Sequence, residues 1–436
     1  MKPMNVGLLG LGTVGAGTFT VLSRNAEEIF RRAGRPIRIV VVAEKDVARA
    51  NEITQGACRV VDDAFSVVSD AEVDIVIELI GGCGVAKELV LKAIANGKHV
   101  ITANKALLAM HGNEIFAEAQ KQGVTVAFEA AVAGGVPIVK AVREGLSANR
   151  IEWIAGIING TTNFILSEMR DKGLSFDTVL KEAQRLGYAE ADPTFDIEGV
   201  DAAHKITILS AIAFGIPVQF DKVYIEGISQ LNAKDIKYAE QLGYRIKLLG
   251  ITKRTTAGAE LRVHPTLIPA KRLIANVEGA MNAVVVQGDA VGATLYYGKG
   301  AGAEPTASAV IADLVDVTRM HTADPEHRVP HLAFQPDQLV DLPILPIAEV
   351  LTCHYMRLRV QDEPGVLANI TRVLADEQIS IDALIQIEPG EGEDEADLIL
   401  LTHLTREKRI NLAIVKLEKL SVVVGKVTRI RMETLG

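Results

Sequence analysis

Over the first 130 residues, short apolar runs alternate with longer stretches in which apolar and polar positions follow helical spacing. The runs are Val6–Leu9, Ile37–Val42, Val73–Leu79, His99–Thr102 and Val124–Phe128, each continuous enough for a strand covered on both faces. Their alternation with helical segments predicts a parallel, doubly wound α/β sheet. Further apolar strands follow in a middle block, among them Ile151–Ile158 and Ala283–Gln287, together with Ile206–Val218, a run of buried-helix length. Gly298-Lys-Gly-Ala-Gly302 then leads through Pro305 into a helix pattern, Thr306–Val317, expected to return to the first unit. Five of the 15 prolines lie between Pro325 and Pro346, marking a linker with few regular hydrogen bonds. Beyond it the signals resume as Thr352–Gln361, Val366–Glu377, Ile379–Ile387, Leu398–Leu404, Arg406–Leu420 and Ser421–Arg431. This β-α-β-β-α-β order predicts a separate ferredoxin-like unit with its own core.

The first strand runs into Gly10-Leu11-Gly12-Thr13-Val14-Gly15 and then into a helix-compatible stretch reaching about Ala33. That order is the dinucleotide-binding fingerprint in its proper setting: Gly10 for the tight turn, Gly12 for approach to the pyrophosphate, Gly15 for close packing of helix and strand. The second strand ends in Ala43-Glu44-Lys45-Asp46. Glu44 is placed to accept ribose hydroxyls and Lys45 to meet a 2′-phosphate, which leaves NAD and NADP both open. Solvated ends of a strand are the plainer reading of the pair.

Gly187–Lys205 gathers Glu190, Asp192, Asp196, Glu198 and Asp201 ahead of one lysine. Carboxylates neutralise an α-ammonium group, and a lysine gives a proton to an oxygen that gains charge during reaction. Asp201 and Lys205 are four apart and share a helix face. Taken alone, they read as an exposed ion pair of little energetic value.

Length and charge narrow the field. A chain of 436 residues with 48% hydrophobic positions fills two or three domains, and a formal charge of −9 disfavours nucleic-acid and anionic-membrane partners. Cys58, Cys83 and Cys353 show no C-x-x-C spacing, and no histidine pair has metal-ligand spacing, so neither a disulfide framework nor zinc is indicated. A reducing cytoplasm is the expected location. Val6–Ser23 is uncharged, but the fingerprint inside it explains it better than a membrane anchor.

The loop Asp362-Glu-Pro-Gly-Val-Leu367 makes the C-terminal unit resemble an ACT domain, an amino-acid-sensing module. The resemblance implies an effector site at Asp362, Pro364, Gly365, Val366 and Leu367. The preceding blocks resemble homoserine dehydrogenases through the fingerprint, Glu78–Gly82, Thr102–Lys105, Glu129–Pro137, Asn159–Asn163, Gly187–Lys205 and Gly298–Thr306. With the ACT-like unit this is the architecture of the longer bacterial members. The implied boundaries are an NAD(P)-binding Rossmann-type domain over 1–130, completed by about 305–325, and an α+β catalytic and dimerisation domain over 131–304. The linker then covers 325–350 and the ACT domain 351–436.

The resemblance implies reversible hydride transfer between NAD(P)H and L-aspartate 4-semialdehyde, giving L-homoserine for threonine, methionine and isoleucine biosynthesis. Lys205, Lys105 and Asp201 correspond to catalytic positions, and Glu190, Asp196, Gly160 and Thr161 to substrate-binding ones. Lys105 and Gly302 join Gly10, Leu11, Gly12, Thr13, Val14, Gly15, Glu44 and Lys45 around the cofactor. Glu129 with Val132, Gly134 and Val136 corresponds to a site for a structural monovalent cation, Na+ or K+; the alternative is that Glu129 caps a helix beside a glycine bend. Threonine is the implied effector and a homodimer or homotetramer the implied assembly. Two rivals stand: a semialdehyde dehydrogenase using a cysteine nucleophile such as Cys83, and a non-catalytic NAD-binding amino-acid sensor.

Overall fold

The computed structural model describes residues 2–387 and 394–436. Its first sheet contains β1 (Met4–Leu9), β2 (Ile37–Ala43), β3 (Arg59–Val61), β4 (Ile75–Glu78), β5 (His99–Thr102) and β6 (Val126–Ala127), all parallel in the order β3-β2-β1-β4-β5-β6. The expected strands are present, with β4 and β6 shorter than their apolar runs. β3 is an addition: Arg59 is exposed and both valines only half-buried, so this edge strand has no double-sided apolar signal. The fingerprint helix is also shorter than expected. It spans Thr13–Arg24, and the chain re-enters a second helix, Ala26–Ala33, after a break at Asn25. The returning helix Ala303–Met320 buries Ala307, Val310, Ile311 and Leu314 in one core with Val6, Leu8 and Ile77.

A second sheet of eleven strands occupies the rest. Its middle part is β7 (Ile151–Ile157), β9 (Tyr244–Arg254), β10 (Ala259–Pro269), β11 (Met281–Gly288) and β12 (Gly292–Lys299), with β8 (Tyr224–Ile225) paired to β10. The C-terminal unit adds β13 (Leu351–Gln361), β14 (Ile381–Ile387), β15 (Glu395–Thr402), β16 (Thr405–Arg406) and β17 (Val423–Met432). The main path runs β12-β11-β7-β9-β10-β17-β13-β15-β14. Helix Val200–Phe214 lies against the middle strands, buried from Asp201 to Phe214. Among the described residues no helix is long and apolar enough to cross a membrane.

The C-terminal unit has the core expected of it, with Met356, Leu358, Ile370, Leu398, Ile410 and Leu417 in one cluster, but it does not stand apart: β10 and β17 join it to the middle sheet. Thr266 pairs with Arg431 and Leu267 with Met432 in parallel register, and Tyr355, Ile399, Leu401 and Ile430 share one core with Leu261, Val263 and Leu267. Two fully buried arginines bridge the units. Arg262 donates to Glu260 and to Glu433, while Arg431 donates to Glu407 and, at 2.8 Å, to Glu226. The proline-rich segment is fastened too: Ala259 donates its N–H to the Pro343 carbonyl and its carbonyl accepts the Leu345 N–H, and the His331 ring stacks on Phe116. Prolines announced a lack of helix and strand; they carried no information about where the segment docks.

A chain ending at Pro346 would strip Glu433 from Arg262 and Arg431 from Glu226. Removing one partner of a buried pair costs about 3–5 kcal/mol. The truncated chain is therefore expected to melt at least about 5 °C lower than the full chain, or to aggregate, in a thermal-shift comparison.

Candidate functional site

Lys105 opens the helix Lys105–Lys121 immediately beyond β5, at the carboxyl edge of the parallel sheet, where ligands of such sheets bind. Its backbone is set by Asn104, whose side chain accepts the Leu107 N–H and donates to the Gly82 carbonyl. Asn104 thereby ties this turn to the loop after β4, where Glu78 accepts N–H groups from Ile80 and Gly81 and the hydroxyl of Thr102. Because β1, β4 and β5 are neighbours, the fingerprint, the Glu78 loop and Lys105 share one edge.

From the opposite side, helix Val200–Phe214 presents Asp201 and Lys205. They are not the exposed pair that their spacing allows: Asp201 is 2% and Lys205 8% exposed. Asp201 Oδ2 accepts from Lys205 Nζ at 2.6 Å, and Asp201 Oδ1 lies 2.6 Å from Lys105 Nζ. Lys205 Nζ also donates to the Ile158 carbonyl at 2.7 Å. One carboxylate thus stands between two ammonium groups delivered by two different sheets.

The electrostatics separate the lysines. Burial dominates at Lys205 and lowers its pKa, with Lys105 adding to the effect and Asp201 opposing it. At Lys105 burial is outweighed by Asp201, supported by Asp196 and Glu190, and the pKa is raised. Burial alone would raise Asp201, but Lys205 and Lys105 reverse this and hold it well below the ordinary carboxylate range. Burial lowers His204 to about 4, Asp201 opposing and the two lysines assisting. Its ring packs against Phe195 and Phe220, with centroids 5.4 and 4.4 Å away.

The expected substrate residues gather beside this cluster. Helix Gly160–Lys172 begins at Gly160, capped by Asn159. The Thr161 hydroxyl donates to the Tyr188 carbonyl and lies 3.1 Å from Asp196 Oδ2, and Asn159 Nδ2 donates to both Asp196 and Asp201. Glu190 is exposed, near enough to raise Lys105. Asp192 accepts the Thr194 N–H as a local cap. The side chain of Asn159 and the carbonyls of Ile158 and Tyr188 were not singled out by sequence reasoning, although a capping asparagine ahead of G-T-T was a readable signal.

The fingerprint fits a dinucleotide. Nothing lies within 4 Å of a Cβ placed on Gly12, leaving open space at the N-terminus of helix Thr13–Arg24, whereas a Cβ on Gly15 would sit 2.1 Å from the Gly10 carbonyl oxygen. Glu44 accepts the N–H of Leu11 at 2.6 Å and of Lys45 at 2.8 Å, so its carboxylate braces the loop containing Leu11. Lys45 Nζ lies 3.1 Å from the Asp62 carbonyl, directed to the sheet edge. Thr13 and Val14 form the first turn of the helix, and Gly302 is the N-cap of Ala303–Met320.

Glu129, the expected cation ligand, accepts N–H groups from Val139 and Lys140 at 2.9 and 2.7 Å, the helix-capping arrangement left open by the sequence. Its own N–H donates to buried Asp313. Burial, against those backbone bonds, raises Glu129 to about 7; burial and then Glu129 raise Asp313 to about 8. Val132, Gly134 and Val136 lie on the adjoining bend, where Ala133 and Gly134 have positive φ. Asp313, on the buried face of the helix Ala303–Met320, carried no sequence signal that set it apart from Asp316. In the C-terminal unit, Asp362 accepts from Gln386 at 2.9 Å and Gly365 caps helix Val366–Asp376 with φ 96°; Val366 is buried, while Pro364 and Leu367 are exposed.

Three family models match in succession: homoserine dehydrogenase NAD-binding domain over residues 10–129, homoserine dehydrogenase over 137–315 and ACT domain over 354–422. The chain is 63% identical to the homoserine dehydrogenase of Pseudomonas aeruginosa over 437 residues, covering 100% of each. A crystal structure of a homoserine dehydrogenase from Thiobacillus denitrificans is 69% identical, with a TM-score of 0.96 over 100% of this chain and 99% of that one. A hyperthermophilic archaeal homoserine dehydrogenase solved with NADPH is 25% identical, with a TM-score of 0.63 over 73% of this chain and 98% of that one.

Two glycine substitutions should separate binding from folding. Gly12→Ala enters open space and should leave the melting temperature nearly unchanged while weakening the reduced nicotinamide nucleotide, NADH or NADPH, about 10-fold or more, because its methyl obstructs the pyrophosphate approach. Gly15→Ala should lower both the melting temperature and nucleotide affinity. Thermal shift and fluorescence titration of the reduced nucleotide read the two effects.

Proposed function

The chain belongs to the homoserine dehydrogenase family, and we propose that Lys205, Lys105 and Asp201 form the proton-handling centre of its reaction, the NAD(P)-dependent interconversion of L-homoserine and L-aspartate 4-semialdehyde. The observation that carries this reading is a single carboxylate shared by two lysines whose pKa values are driven apart. Opposed shifts divide acid-base labour within one site. Lys205, lowered by burial, takes the hydroxyl proton in the oxidative direction and returns it to the forming alkoxide in the reductive one. Lys105 stays charged and stabilises the developing oxyanion. Asp201 orients both ammonium groups. Glu190 and Asp196 receive the α-ammonium group of the amino-acid substrate, with Gly160 and Thr161 at the head of their helix completing the pocket.

The nicotinamide cofactor, when bound, takes up or returns the hydride at the carbon that bears the reacting oxygen. The loop Gly10–Gly15 would hold its pyrophosphate, Glu44 the ribose, Lys45 a 2′-phosphate, and Lys105 and Gly302 would line its path. The NADPH complex of the archaeal relative supports a nicotinamide nucleotide. Glu129 with the carbonyls of Val132, Gly134 and Val136 would hold a monovalent cation; the hard oxygen donors and the uncompensated charge shared with Asp313 suit one. The ACT match supports a regulatory unit; the effector proposed for Asp362–Leu367 is threonine, and the proposed setting is a cytoplasmic homodimer or homotetramer serving threonine, methionine and isoleucine synthesis. Neither the cysteine-dependent rival nor the non-catalytic sensor is favoured by these relatives.

Lys205→Ala should lower kcat for homoserine oxidation by about 10²- to 10⁴-fold with nucleotide affinity retained. Near-normal turnover in a stopped assay of NADH or NADPH formation would remove Lys205 from the mechanism. The pH dependence has a definite sign. Oxidation needs neutral Lys205, so the rate should rise with pH through its apparent pKa. Asp201 raises both lysines' pKa values, so Asp201→Asn should move that ascending limb to lower pH while reducing the maximal rate. A limb that moves up or stays fixed would contradict the shared-carboxylate arrangement.

A further inference from the structure

We infer that Asn159 is a positioning residue that locks the substrate-binding carboxylate Asp196 to the proton-handling carboxylate Asp201; the inference rests on the site reading above. Asn159 is 4% exposed, and Nδ2 uses its two hydrogens on two different acids: Asp196 Oδ1 at 2.7 Å and Asp201 Oδ2 at 2.8 Å. The amide cannot be turned the other way. Its Oδ1 accepts the Thr162 N–H at 2.8 Å and the Thr162 hydroxyl at 2.9 Å, and a backbone N–H only donates. Rotation would also aim an acceptor at two carboxylates.

Three features give the residue its role. A neutral double donor between acids stabilises both anions without adding charge beside Lys105 and Lys205. The acids lie on different elements: Asp196 is on the short helix Thr194–Ile197 and Asp201 on the helix Val200–Phe214, on either side of Gly199, which has φ 83°. Rotation about that glycine would alter their separation, and the amide opposes it. Finally, Asn159 belongs to the strand-to-helix turn that also supplies the Ile158 carbonyl to Lys205 and Thr161 to Asp196. A single turn thus indexes the ammonium-binding acid against the lysine that moves the proton. The other titratable groups facing this point are Lys105, Glu190 and His204, the last kept neutral by its burial.

Capping and bridging can be separated by substitution. Serine and aspartate are both good helix caps. Asn159→Ser keeps a cap and loses the bridge; Asn159→Asp keeps a cap and places a third negative charge beside the lysines. For the full-length enzyme oxidising L-homoserine, Asn159→Ser should reduce kcat/KM about 10- to 100-fold, the loss divided between higher KM and lower kcat. Its melting temperature should stay close to that of the wild type. Asn159→Asp should additionally shift the ascending limb of the pH profile upward by about one unit, because an added anion stabilises the ammonium forms. Unchanged kinetics in Asn159→Ser overturn the inference. So does a loss of activity that merely follows a lowered melting temperature with the pH profile of Asn159→Asp unmoved. If the wild type fails to oxidise homoserine, the site reading itself fails, which is a different result from a wild type and Asn159→Ser that are equally active.

Discussion

The site depends on one buried anion. Asp201 has almost no contact with water, and burying a carboxylate is costly unless opposite charge and hydrogen bonds surround it. Lys205, Lys105 and Asn159 supply that surrounding, and they come from three places: the same helix, the edge of the parallel sheet, and the turn after β7. The proposed chemistry follows from the same compensation. An anion that must be neutralised by two cations gives each lysine a fixed partner, while unequal burial drives their pKa values apart, as the proposed proton transfer requires.

The ion pair between Asp201 and Lys105 sits at the boundary where the two sheets meet. Lys105 belongs to the first sheet's carboxyl edge, and Asp201 to a helix packed on the second. Their contact heads a seam in which helix Lys105–Lys121 packs on helix Val200–Phe214, Leu108, Ile115 and Phe116 sharing one core with Ala202, Ile206 and Ile212. A second tie is the helix Ala303–Met320, which leaves β12 and enters the core of the first sheet. Hydride donor and proton carrier must meet at one carbon and one oxygen, and a precise relation between the halves is worth orders of magnitude in rate.

Most of the architecture was legible because it is written in apolar runs that tolerate only one reading. Strands β1, β2, β4 and β5 are covered on both faces and so lack polar alternation. β3, half-buried at the sheet edge, has no such run. The spacing of Asp201 and Lys205 fixed their common helix face but not what that face meets; the same four-residue interval describes a surface pair or a catalytic one, and only tertiary packing decides. Lys105 was legible from its place at a strand end. Asp313 was not, since nothing in the helix pattern distinguishes it from Asp316 until Glu129 is folded against it. The union of the C-terminal unit with the middle sheet was hidden for a related reason. Each strand's pattern records that it is buried, never which strand lies beside it.

The joint between β10 and β17 has a consequence for synthesis. Leu267 finds its partner only when Met432 has been made. At about 5–20 residues per second, the Thr266–Leu267 end of that edge waits about ten to thirty seconds for its partner, while β8 already pairs with Arg262 and Val263. An unpaired edge is a template for foreign strands, and the same strand carries Arg262, a charge with half its compensation still untranslated. The nascent chain therefore passes through an interval in which chaperones have a defined surface to guard, ended by its own last strand.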